Sequence, residues 1–221
     1  MDATSAHDEP LALFLFHASI VRREMRAEGA DFSAVRPILA ELRRAIHDGA
    51  RGGAKPSVHF LQGLPGSGKG WILRNRILPS LQGRVVVLDP DAVKASHPAY
   101  DPKDPQALHA WSKRVERHLR LAAQAAIVAG ARDLHVVIDG CAAEAGKLAR
   151  RLQAWASIGA RPCVVSVRVP LCVSLRRNAE RARTVPAPVI FGRVASLGEA
   201  ERVAESLVPS LGGAVRVEVN A

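Results

Sequence analysis

The sequence predicts an α/β fold: a parallel sheet with helices on both faces, behind a helical N-terminal extension. Three observations predict it. From about residue 55 onward, short apolar runs alternate with longer segments of helical periodicity. Residues 1–50 carry only the helical kind of spacing. Between them, residues 48–56 are rich in Gly and basic side chains, the composition of a linker. The expected division is therefore a helical extension over 1–54 and a core domain over 55–221. A chain of 221 residues has room for both.

The elements follow in order. Leu11, Leu15, Ala18 and Val21 fall at helical spacing and predict the first helix. Ser33 is placed to cap a second, with Pro37 early in it and Ile38, Leu39, Leu42 and Ile46 as its apolar face. Residues 57–62 form a short apolar strand, followed by a glycine-rich loop and a helix over 69–78 that Pro79 stops. Residues 84–88 are a second strand. A long helix over 105–129 is capped by Asp104, with Pro105 in its first turn. Its buried stripe is Leu108, Trp111, Val115, Leu119, Ala122 and Ala126. A third strand over 134–138 ends at Asp139. Helices near 143–158, 172–183 and 196–207 and strands near 162–169 and 214–219 complete the alternation.

Composition narrows the function. No apolar run approaches the roughly 20 residues of a membrane span. The apolar stretch 11–16 follows acidic residues, so it reads as the start of an amphipathic helix and not as a targeting segment. Three scattered cysteines, Cys141, Cys163 and Cys172, suit neither a zinc knuckle nor a disulfide framework, and point to a reducing cytoplasm. The net charge of +10 favours anionic partners such as nucleotides or an acidic protein. Nucleic acid has weaker support, because aromatic stacking residues are sparse.

The strongest motif is Gly63-Leu64-Pro65-Gly66-Ser67-Gly68-Lys69, which fits G-x-x-x-x-G-K. Glycines let backbone N–H groups curl around phosphate oxygens, the helix N-terminus adds partial positive charge, and Lys69 reaches the β and γ phosphates. An apolar strand before the loop and a helix after it supply the expected setting, so the core reads as a P-loop NTPase or kinase domain binding ATP. Gly70 stands where a magnesium-binding Ser or Thr is usual, which leaves Mg2+ to acidic side chains, water and ATP oxygens.

Three further groups follow. Asp89-Pro90-Asp91, with Lys94, lies just past a strand, where open α/β sheets place ligands. Asp91 is the candidate general base and Lys94 the group that grips the acceptor. Asp89 assists with metal or caps the next turn, and ordinary turn chemistry stays open for the pair. Asp139 ends an apolar strand before Gly140, the Walker B pattern, and is the second candidate metal ligand. Arg177 and Arg181 are four apart, so on one helix they share a face and clamp a transferring phosphate, unless that face is simply solvated.

With those pieces in order, residues 57–195 resemble the zeta-toxin family of P-loop kinases and its relative, the kinase domain of phage polynucleotide kinase. The stretch from Asp89 to Tyr100, with Asp91, Lys94, His97-Pro98 and Tyr100, carries the likeness to zeta toxins. By that resemblance Asp91 matches the catalytic base and Lys94 the basic residue three positions on. Asp139 matches an acidic position that zeta toxins often fill with Glu. His97 and Tyr100 become acceptor-binding candidates. Arg177 and Arg181, followed by Val185-Pro186, look like the lid of the polynucleotide kinase group, with Arg183 as a substitute in a zeta-like arrangement. Cys141 stands where zeta toxins carry Thr. The resemblance implies ATP-dependent phosphorylation of a nucleotide sugar of the UDP-N-acetylglucosamine kind, and restraint by an antitoxin or regulatory protein. The alternatives are a polynucleotide or nucleoside kinase, or a nucleotide-binding regulator that has lost catalysis.

Overall fold

The computed structural model describes residues 5–49, 53–104, 106–140, 144–181 and 184–220. Five strands form one sheet: β1 (Ser57–Gln62), β2 (Arg84–Leu88), β3 (Leu134–Asp139), β4 (Arg161–Arg168) and β5 (Ala214–Val219), in the order β2-β3-β1-β4-β5. The α/β class read from the alternation is the class observed, a parallel sheet with helices and a helical N-terminal region. No helix among the described residues is long and apolar enough to cross a membrane. The chain divides into two units, Met1–Pro56 with Gly83–Val136, and Ser57–Gln82 with Val137–Ala221.

In the first unit, α1 (Ser5–Ala27) packs on α6 (His109–Val128), and α2 (Arg36–Gly49) on α6 and β2. The face of α1 differs from the expected one. Phe14, Ala18, Val21 and Met25 are buried, while Leu15 stays 50% exposed. Both stripes have helical spacing, and the one carrying Phe14 and Met25 removes more apolar surface from water. The start of α2 is also corrected. Asp31, not Ser33, supplies the cap: its carboxylate accepts the Ser33 N–H at 2.8 Å and opens a 3₁₀ turn, Phe32–Ala34, before the α-helix begins. Beyond it, Arg84 of β2 donates to Glu41 at 2.9 Å and also to Asp48, both on α2.

The helix α6 buries Trp111, Val115, Leu119, Ala122 and Ala126 as the stripe required, yet starts at His109. Asp104 spends its carboxylate on the N–H groups of Gln106 and Ala107, each at 3.2 Å, forming a turn upstream of the helix. Pro105 lies outside the described residues.

In the second unit, β4 runs parallel between β1 and β5, with Ser57 opposite Arg161 and Cys163 opposite Ala214. The strand β1 is buried throughout, and β4 is buried except at its terminal arginines, as central parallel strands require. At the edge, β5 alternates the charged Arg216 and Glu218 with valines, and Val217 and Val219 are exposed. On this part of the sheet, α7 (Ala145–Ser157) and α9 (Ala187–Ser210) pack together, burying Leu152, Trp155, Ala200 and Ala204.

Past the glycine-rich loop, one helical run continues through α3 (Lys69–Ile72), a π turn (Leu73–Ile77) and α4 (Leu78–Ser80). Pro79 was expected to stop it. A proline has no N–H and its ring crowds the carbonyl four residues back, here Asn75. The wider turn, with the Leu78 N–H bonded to the Leu73 carbonyl, carries the run past that point.

Candidate functional site

The glycine-rich loop belongs to the second unit, and its glycines are required by geometry. Gly66 and Gly68 have φ of +82° and +83°, the left-handed region. A Cβ on Gly66 would stand 2.3 Å from the Ser174 carbonyl, and one on Gly68 would stand 2.0 Å from the Asn220 amide nitrogen. The loop is braced from behind. Ser174 Oγ donates to the Pro65 carbonyl at 2.6 Å, and Asn220 Nδ2 donates to the Ser67 carbonyl at 3.0 Å. The N–H groups of Gly66 and Gly68 donate to no described residue, and the buried Ser67 Oγ has no partner among them. These are the donors an anion would satisfy. Lys69 opens α3, and its Nζ folds back to the carbonyls of Gly63 and Leu64 at 2.8 and 3.0 Å. Gly70 and the exposed Trp71 follow, and Arg76 lies 5.7 Å from the Trp71 ring centre.

Below the loop, the ends of β1 and β4 hold a buried polar pair. Gln62 Nε2 donates to Ser166 Oγ at 2.5 Å, and Gln62 Oε1 has no partner among the described residues. Asp139 ends β3 and is half-buried.

The arginine segment departs from expectation. The helix α8 (Leu171–Ala179) stops after Ala179, so Arg181 lies in a bend and shares no helix face with Arg177. Asn178 is the cause. Its buried side chain turns away from the helix to pair with the backbone of Val185, accepting its N–H at 3.0 Å and donating to its carbonyl at 2.8 Å. Arg181, three residues past Asn178, is exposed. Arg177 Nη1 donates to the Asn220 carbonyl at 3.3 Å. Arg183 and Cys141 lie outside the described residues. Asn220 and Ser174 escaped the sequence reading. Neither sits in a motif, and each acts through a contact more than a hundred residues away in the chain.

The acidic element belongs to the first unit. Asp89 caps α5 (Pro90–Ala95), accepting the Asp91 N–H at 2.8 Å, so its carboxylate has the capping role that the sequence left open. Asp91 follows in the first turn with its side chain largely exposed. Lys94, only 5% exposed, holds its Nζ 3.5 Å from the Asp91 carboxylate. His97 is built into the next turn. Its Nδ1 accepts the Ala99 N–H at 3.0 Å, its Nε2 faces Glu28 at 3.5 Å, and its ring meets Trp111 edge-on. Both nitrogens are engaged and the side chain is buried, so His97 shapes the turn that presents half-buried Tyr100. Among the described residues, no three His, Cys, Asp or Glu side chains gather to hold a metal.

The family profile of an AAA domain, AAA_33, matches residues 58–197, from the first residues of β1 into α9. The chain belongs to this AAA_33 family. A search of curated proteins found no match. Solved structures with the fold include the AvrRxo1-ORF1:AvrRxo1-ORF2 complex with sulphate ions, at TM-score 0.58 and 18% identity, covering 86% of this chain and 63% of that one. The PezAT chromosomal toxin–antitoxin system of Streptococcus pneumoniae aligns at TM-score 0.54 and 18% identity, covering 83% and 77%. The Pnkp1/Rnl/Hen1 RNA repair complex aligns at TM-score 0.51 and 18% identity, covering 67% and 46%. This AAA_33 chain thus spans less than two thirds of the first of these. The zeta-toxin and polynucleotide kinase resemblance read from the motifs holds at the level of the fold.

Proposed function

We propose that the chain is an ATP-dependent phosphotransferase of the zeta-toxin type, acting on a hydroxyl of a nucleotide sugar or related nucleotide. The observation that carries this reading is the braced loop Gly63–Gly68, with unsatisfied N–H donors and Lys69 at its end. Under it, Lys69 leaves the carbonyls of Gly63 and Leu64 for the β and γ phosphates of ATP. Arg177 and Arg181 neutralise charge on the moving phosphoryl group. Asp91 accepts the proton of the acceptor hydroxyl, and Lys94 holds it oriented until then. Tyr100 contacts the acceptor, on the turn that His97 fixes. Asp139 is the carboxylate suited to Mg2+, since Asp89 is engaged as a cap and Gly70 offers no hydroxyl. That ion, when bound with ATP, would supply positive charge against the phosphates.

PezAT is a toxin–antitoxin system, and its shared fold supports a regulatory protein partner here. The free Cys163 and Cys172 accord with a reducing cytoplasm. A polynucleotide acceptor is the second reading, on the basic charge of the chain.

The test incubates the protein with ATP, magnesium and a pool of UDP-sugars, nucleotides and short oligonucleotides, and seeks by mass spectrometry a product heavier by one phosphoryl group. Asp91→Asn should retain ATP binding by calorimetry and lose turnover by about 10²- to 10⁴-fold. Lys69→Ala should lose both. ATP bound with no acceptor modified would favour the regulator. A product undiminished in Asp91→Asn would remove Asp91 from the mechanism.

A further inference from the structure

The first unit carries a groove of about 480 Å3 between α1 and α2, lined by none of the residues named in the proposed reaction. Its floor is apolar, formed by Phe14, Ala18, Phe32 and Leu39, with half-exposed Leu15 on its lip. Its charged lining, all arginine, is of one sign. Arg22 stands on α1, and Arg36, Arg43, Arg44 and His47 stand on α2, with no acidic residue in the lining. Arg44 is paired locally with Glu41 at 3.1 Å, and the Asp31 carboxyl is held below its usual range first by its hydrogen bonds from Ser33 and lastly by Arg36. Arg22 and Arg43 form no ion pair among the described residues. From Arg36 to His47 the α2 wall runs about 16 Å, three helical turns.

We infer that this groove is a docking site for an acidic amphipathic helix of a partner protein. The apolar strip fits the apolar face of a helix laid between α1 and α2, and the arginines flanking it fit carboxylates on either side of that face. A phosphate backbone would match the arginines and leave the strip unfilled. A bilayer is flat where this surface is concave. The site is built from the N-terminal helices and does not depend on the phosphotransferase reading.

The probe is a fluorescein-labelled peptide of about 18 residues, five helical turns, with Leu along one face and Glu on the other. Its counterpart carries Lys for Glu. Binding to the full chain is followed by anisotropy. The acidic peptide should bind and the basic one should not. The double variant Arg36→Glu, Arg43→Glu should weaken binding by at least about tenfold. Ala40→Trp, which fills the groove without changing charge, should weaken it comparably and carries the test if the charge reversal does not fold. Thermal melts and ATP binding should be unchanged in both. The inference is overturned if the acidic peptide does not bind, if both peptides bind alike, or if folded variants bind like the parent. It is equally overturned if phosphatidylglycerol vesicles, and not the peptide, bind the chain through Arg36 and Arg43.

Discussion

Gly66 in the loop and Gly70 in the helix after it answer to different pressures. At Gly66 the backbone is left-handed and Ser174 stands in the space of a side chain. Gly66→Ala should lower stability by about 1–3 kcal/mol and weaken ATP binding, measured by urea unfolding and calorimetry. Parental stability would show that the loop relaxes. Gly70 is different. A Cβ there meets only the flexible end of Arg74 at 3.5 Å. Gly70→Ser should therefore fold normally and, under the proposed reaction, lower the magnesium concentration for half-maximal activity. An unchanged magnesium dependence would mean that the missing hydroxyl is irrelevant here. The motif was legible because glycine is nearly obligatory where φ is positive and space is absent. Asn220 was not legible, since only folding brings the end of β5 to Ser67.

Between helices, the pair His17 and His118 joins α1 to α6, with Nδ1 atoms 3.1 Å apart, so one ring donates and the other accepts. Burial lowers the pKa of His17 first, then His118 and Arg117. Burial also lowers that of His118, with Arg117 and Arg23 in the same sense and Glu24 opposed. Both rings bind protons less readily folded than unfolded, so their contribution to stability is complete above about pH 6.5 and is lost as pH falls below it. The melting temperature should drop through that range, and His118→Gln should flatten the drop. A parental curve independent of pH would sink the idea. Elements themselves were readable wherever an apolar period was long, as in α6. Their ends were less so. Asp104 and Ser33 are both good capping residues, and neither caps its helix, because a local turn took the Asp104 carboxylate and Asp31 took over from Ser33. Asn178, at the end of α8, pairs with the backbone of Val185 seven residues on, which no helix propensity encodes.

For the chain as a whole, the N-terminal helices are packed into the first unit, where Val21, Met25 and Leu42 are fully buried or nearly so and Glu41 and Asp48 bind Arg84. Removing residues 1–54 should leave a fragment that aggregates or melts without cooperativity, by gel filtration and calorimetry. A monomeric, cooperative fragment would support the boundary read from the Gly-rich linker. The three tryptophans are distributed unevenly: Trp111 and Trp155 are 5% and 0% exposed, and Trp71, two residues past Lys69, is 49% exposed. Buried indoles emit blue and resist collisional quenchers, whereas Trp71 should emit red and yield to acrylamide. The molecule thus carries its own optical reporter beside the phosphate loop. Titrating ATP should shield a single quenchable component, which Trp71→Phe should erase while the blue emission persists.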